Sequence, residues 1–224
     1  MSTIHDLPDL APLADDTPPK FPASPYASAA TYFSAYAAEA VRAVSSVETT
    51  AFAHAAAILS DAYTRGATLF SCGNGGSASI ANHLQCDHLK GVRTATDLAP
   101  RVMSLSVNVE LLTAIANDLG YEDVFTYQLQ SQARPGDVLL AISSSGRSAN
   151  IVRALEWANN HGLRTIALTG FGGGNARKVA EVDIHVDGTN YGIVEDLHQG
   201  IMHALAQYIR QSRMTAAAIS ENVF

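Results

Sequence analysis

The run Asp137-Val138-Leu139-Leu140-Ala141-Ile142 leads directly into Ser143-Ser144-Ser145-Gly146-Arg147-Ser148, and the helix-patterned Ile151-Val152-Arg153-Ala154-Leu155 follows. A short apolar run without polar alternation predicts a strand covered on both faces, which is how strands of parallel sheets read. The serine-rich turn then falls at the strand's carboxyl end and at a helix N-terminus. Four hydroxyls and a row of backbone donors there suit a phosphate monoester, whose oxygens accept in several directions. One helix cap needs one serine. Four of them around a glycine point to an anion site made by Ser143, Ser144, Ser145 and Ser148.

Outward from this unit the pattern repeats. Residues 67–71, 102–106, 164–169 and 182–186 are further short apolar runs, bounded by Gly, Asn or Ser and separated by helix-length segments. Such alternation predicts an α/β fold, a doubly wound and mostly parallel five-stranded sheet. Ligands of these sheets bind beyond the carboxyl ends of the strands. The informative loops are therefore those after Ser71, Ser106, Ile142 and Thr169. The first continues as Cys72-Gly73-Asn74-Gly75-Gly76-Ser77-Ala78. Its glycines allow close backbone approach, and the following helix start attracts an anion. Asn74, Gly75, Gly76 and Ser77 are thus candidate phosphate contacts, with a plain tight turn as the competing reading. A dinucleotide fingerprint does not fit, because the GxGxxG spacing is missing and Asn108, not an acid, follows the second strand. No Gly-Lys-Ser/Thr of a Walker loop occurs.

Ahead of the sheet, apolar residues recur at helical spacing over residues 26–65 with a break near Ser45-Ser46-Val47-Glu48, which predicts an antiparallel helix pair suited to an oligomer interface. Residues 1–25 hold six of the eight prolines and are expected to be a flexible tail or a strap over a neighbouring subunit. The rest, 26–224, is expected to form one domain with its α/β core at 66–213. A net charge of −7 argues against a nucleic-acid surface, and no apolar run approaches a membrane span. The N-terminus has no signal-peptide pattern, so a cytoplasmic protein is expected. Cys72 and Cys86 form no metal or disulfide spacing, and both are read as small buried residues.

Two predicted helices carry acid–base residues. His83 and Asp87 are four apart and share a face. Glu195 and His203, about two turns apart on the last helix, share a side that His198 partly joins. Spacing alone leaves two readings open: a catalytic or metal constellation, or a salt-bridged solvated face.

Together the glycine loop, the Ser-Ser-Ser-Gly-x-Ser turn and Leu112-Thr113-Ala114-Ile115-Ala116-Asn117-Asp118 with Gly120-Tyr121 resemble the SIS (sugar isomerase) family, in particular its phosphoheptose isomerase branch. Arg134 to Leu140 and Ala167 to Gly170 extend the match, which covers about residues 36–210. The resemblance implies a flavodoxin-like strand order and an aldose–ketose isomerase acting on sedoheptulose 7-phosphate through an enediol(ate). It places the base at Asp87, where the family has glutamate, and the partner acid/base at His203. It implies zinc on His83, Asp87, Glu195 and His203, a donor set zinc accepts, and a homotetramer with sites at subunit contacts. Glu195 stands at a family glutamine and is a second candidate base. Asn108, Asn190 and Ile193 depart from the family's aspartates and arginine at sugar-contacting positions, and Gly91-Val92-Arg93 carries one residue more than the family's Gly-Arg. An isomerase of another sugar phosphate and a non-catalytic binding module are the alternatives.

Overall fold

The computed structural model describes residues 20–224. Two helices, α1 (Ala29–Ser45) and α2 (Thr49–Arg65), precede an alternation of β1 (Thr68–Gly73), α3 (Gly76–Cys86), β2 (Arg101–Ser104), α4 (Val109–Asp118), α5 (Thr126–Gln132), β3 (Val138–Ser143), α6 (Ala149–Asn160), β4 (Arg164–Thr169), α7 (Gly174–Val179) and β5 (Val182–His185). The long α8 (Tyr191–Gln211) and short α9 (Ala216–Glu221) close the chain. The helix pair breaks where the sequence predicts. Ser28 caps α1 through a bond from the Thr31 amide, and Gly66 ends α2 with φ of 70°, the left-handed turn that glycine takes without strain.

All five strands are parallel, in the order β2-β1-β3-β4-β5. The apolar character of β3 has a simple cause: the strand is central and both its faces are covered. Val138, Leu140 and Ile142 join the core beneath α1, α2, α3 and α8, while Leu139 and Ala141 join the core beneath α4 to α7. All five are at most 1% exposed, so at about 1.5–3 kcal/mol for each larger side chain the strand is strongly held in register. The order reverses between β1 and β3, where Gly73 pairs with Ile142. The glycine loop and the serine loop therefore leave the sheet side by side at its switch point, the place where such sheets open a crevice.

Residues 20–25 include Phe21, which packs on Tyr26, Tyr32 and Tyr36 and accepts a hydrogen bond at its carbonyl from Asn190 Nδ2 at 3.2 Å. The remainder of the expected Pro-rich tail lies outside the described residues. Of the two cysteines, Cys72 is buried in β1, whereas Cys86 is exposed on α3. Its neighbours Leu84 and His88 take the inward positions instead. No helix among the described residues is long and apolar enough to cross a membrane.

Candidate active site

A cleft of about 150 Å³ lies at the switch point, lined by Asn74, Ser77, Ile142, Ser143, Ser144, Ser145, Ser148, Tyr191 and Glu195. Two helix N-termini, of α3 and α6, open onto it, and neither has a side-chain cap. Uncapped first turns leave backbone N–H groups and positive dipole ends for an anion. The hydroxyls are deployed unequally. Ser143 Oγ accepts from the Gly146 amide at 3.2 Å and Ser145 Oγ from the Arg147 amide at 3.3 Å, which shapes the turn. Ser144 Oγ is buried without a hydrogen-bond partner among the described residues. A buried hydroxyl that folding leaves unpaired is costly, and a ligand oxygen would satisfy it.

The turn is braced from behind. Gly146 has φ of 63°, and a Cβ there would collide with the carbonyl of Gly173, whose loop follows β4. The Gly146 carbonyl accepts from the Ala176 amide at 2.9 Å, and the Ser144 carbonyl from the Gly170 amide at 2.9 Å. The Gly170–Asn175 loop is thus a buttress for the serine turn. Asn74 and Asn150 exchange paired amide bonds of 2.9 Å, and Tyr121 Oη donates to Asn74 Oδ1 at 2.8 Å. Asn74 lines the cleft, but its carbonyl is committed to tying the two loops together. Gly75 supplies the turn with φ of 54°. Gly76 lies beneath the Glu195 carboxylate, which a Cβ would displace.

Further along α3 and α8 stands a second constellation. His83 Nε2 lies 3.2 Å from Asp87 Oδ1 and His203 Nε2 lies 3.3 Å from Asp87 Oδ2. The two imidazoles meet edge-on at 5.1 Å. Ligand atoms of these three residues fall within 4.8 Å of one another, a grouping that can hold a metal ion. Gln199 Nε2, 2.9 Å from His203 Nε2, completes the cluster. Sequence reading missed Gln199, although its place one turn before His203 was the available signal.

Asp87 begins a π-helix, Asp87–Val92. Its wider turn takes up an additional residue, and it falls where the chain has one residue more than the Gly-Arg pattern before Arg93. Asp87 faces the cluster while His88, next in sequence, is fully buried with Tyr63 Oη 2.5 Å from its Nδ1. Burial pushes the His88 imidazole down to about 3. His198 is also buried, placing Nε2 3.0 Å from the Thr169 carbonyl, and burial pushes it down to about 4. Both histidines are neutral supports, not exposed groups.

Two residues stand apart from the groups they were expected to join. Glu195 does not join the metal-type cluster. Eight residues separate it from His203, a rise of about 12 Å along the helix, and its carboxylate lies in the cleft. Burial there raises its pKa, and the charge of Asp196 adds to the rise. Asn108 lies outside the cleft lining and caps α4, accepting from the Leu111 amide at 2.9 Å. Asn190 likewise caps α8, and Ile193 is core. At these three positions the structure shows two helix caps and one core side chain.

An anion cradle at the switch point of a parallel sheet, with a histidine–carboxylate cluster farther along the same helices, defines the class: a SIS-type α/β sugar-phosphate isomerase. The SIS domain model matches residues 32–170. Phosphoheptose isomerases of Akkermansia muciniphila and Rhodospirillum rubrum are 40% and 38% identical, over 70% and 72% of this chain and 82% and 86% of theirs. The solved phosphoheptose isomerase of Neisseria gonorrhoeae superposes with a TM-score of 0.74 at 30% identity, covering 82% of this chain and all of that one. The chain belongs to the phosphoheptose isomerase branch of the SIS domain family, and is an isomerase.

Proposed function

We propose that the chain converts sedoheptulose 7-phosphate into the corresponding aldose phosphate by a 1,2-proton shift. The observation that carries this reading is the layout of the site along α3 and α8. The phosphate cradle meets these helices at Gly76 and Glu195, and the cluster meets them at His83, Asp87 and His203. Seven residues from Gly76 to His83 correspond to a rise of about 10 Å. An open seven-carbon chain, at roughly 1.2 Å per bond, spans about 8 Å from its phosphorus to the carbonyl carbon. A long sugar with phosphate at one end and carbonyl at the other fits that spacing.

Ser144, Ser148 and the first turns of α3 and α6 hold the phosphate. Asp87 removes the proton from C1 to form the enediolate, His203 carries a proton from O1 to O2, and the proton taken from C1 returns at C2. The two histidines orient the Asp87 carboxylate by bracketing both its oxygens. Glu195, in no ion pair among the described residues and raised in pKa at the cleft by burial, is the second candidate for proton transfer. The donor set of His83, Asp87 and His203 fits zinc, with three protein ligands as in catalytic sites. Zinc bound there would supply positive charge to the developing enediolate; an Asp87 carboxylate given to the metal is a poorer base, and in that state Glu195, outside the cluster, is the group left to take the proton.

Turnover of sedoheptulose 7-phosphate by the purified protein, with and without chelator, tests the reading. Asp87→Asn and His203→Ala should each lower kcat by about 100-fold or more while leaving the fold and phosphate binding intact. No turnover of any ketose phosphate would overturn the assignment, and turnover of a different sugar alone would move the substrate.

We further propose a homotetramer with sites at subunit contacts. Phe33, Val41 and Val44, exposed on α1, support it, and a monomer in light scattering would contradict it. A cytoplasmic location is supported by the two unpaired cysteines, which suit a reducing compartment. A single domain over residues 26–224 is part of the same proposal.

A further inference from the structure

The cleft's lining is polar except at two points. Ile142 is its buried floor, and Tyr191 is an aromatic wall 58% exposed. Serines and helix ends recognise the phosphate, which every sugar phosphate shares. They cannot distinguish the chain beyond it. Tyr191 can, because of where the fold puts it.

Tyr191 is the first residue of α8, directly after the Asn190 cap, and one turn before Glu195. Its ring therefore shares the face that carries the Glu195 carboxylate, and both line the same cleft. The ring is braced by Phe171 at a centroid distance of 4.7 Å and 49°. Phe171 is itself fixed: its amide donates to the Gly188 carbonyl at 2.8 Å, and its side chain packs on the main core. It does so with φ of 51°, a left-handed backbone that residues with a Cβ rarely adopt. Strained positions of this kind persist where surrounding structure holds them, and they gather at ligand sites. The Tyr191 phenol has no hydrogen-bond partner among the described residues, so its polar tip is available beside its apolar ring.

We infer that Tyr191, braced by Phe171, is a specificity-determining residue: its ring covers the carbon chain of the bound sugar phosphate beyond the phosphate, and its hydroxyl bonds a sugar hydroxyl. The inference rests on the sugar-phosphate reading of the cleft. It predicts that Tyr191 contributes to sugar affinity and not to phosphate affinity, a separation a merely structural tyrosine would not show.

The test compares wild type, Tyr191→Ala, Tyr191→Phe and Phe171→Leu in three measurements: KM and kcat on sedoheptulose 7-phosphate, Kd for inorganic phosphate, and thermal melting. Tyr191→Ala should raise KM about tenfold with phosphate Kd changed less than about twofold. Tyr191→Phe should show a smaller rise, about threefold, from the lost hydroxyl bond. Phe171→Leu should reproduce part of the Tyr191→Ala effect. An unchanged KM in Tyr191→Ala, or a parallel loss of phosphate affinity, overturns the inference. An unaffected Phe171→Leu overturns the bracing role. If the wild type turns over no ketose phosphate, the isomerase reading fails by itself, and the ratio of sugar-phosphate to inorganic-phosphate affinity across the same variants still decides the role of Tyr191.

Discussion

Ser144→Ala should stabilise the ligand-free protein while weakening its hold on phosphate. Most serine-to-alanine changes in a buried turn remove a hydrogen bond. Here the Ser144 hydroxyl is buried with no partner among the described residues, so the free protein carries its desolvation cost without return. That cost is about 1–3 kcal/mol on the scale of protein substitutions. Removing it should raise the melting temperature by about 2–4 °C for each kcal/mol recovered in a chain of this size. In the complex the sign reverses. A hydrogen bond to a charged phosphate contributes about 1.5–3 kcal/mol, so phosphate affinity should fall by about 10- to 150-fold. Calorimetric melting with and without saturating phosphate, together with a titration of phosphate, measures both effects on one preparation. A variant that melts lower without ligand, or that binds phosphate as tightly as wild type, would refute the reasoning that Ser144 is an unsatisfied donor reserved for the ligand.

Two other outcomes follow from the same geometry. Gly146→Ala places a Cβ in the left-handed region, at about 1–2 kcal/mol, and against the Gly173 carbonyl; it should lower the melting temperature and abolish phosphate binding, and a wild-type melting curve would exclude the buttress. His198 is held neutral to about pH 4 by burial, so below its ordinary value of 6.5 the unfolded chain takes up a proton that the fold does not. Stability is therefore lost as pH falls from about 6.5 towards 4, by about 1.4 kcal/mol per pH unit. Asp183, pushed up to about 6 by burial, binds its proton earlier in the fold and opposes part of the overall slope, which is why the comparison is made between wild type and His198→Asn. Urea midpoints from pH 7 to 5 should show a shallower acid loss in the variant; equal slopes would mean that His198 is not the group responsible.

Much of this protein was determined by sequence alone, because the patterns involved are local. An uninterrupted apolar β3, a glycine after β1 and serines after β3 follow from pleat, turn and helix-start chemistry within a few residues, and they specify the strands, their parallel pairing and the serine turn at the cleft. The His83–Asp87 pair is equally local, being one turn of one helix. Tertiary structure decided what depends on distance between elements. Glu195 and His203 share a helix side, yet the rise of α8 sends one to the serine-lined cleft and the other to the His83–Asp87 cluster. Asn108 is spent on capping α4. Cys86 faces solvent while His88, two residues later, is buried, because His88 continues the inward stripe of Ile80, Ala81 and Leu84 at one-turn spacing and Cys86 falls on the opposite side. The Tyr191–Phe171 contact joins the start of α8 to the loop after β4, about twenty residues apart in the chain, and no periodic signal announces it. Local sequence specifies which chemistry each element carries; only packing decides which of those groups meet.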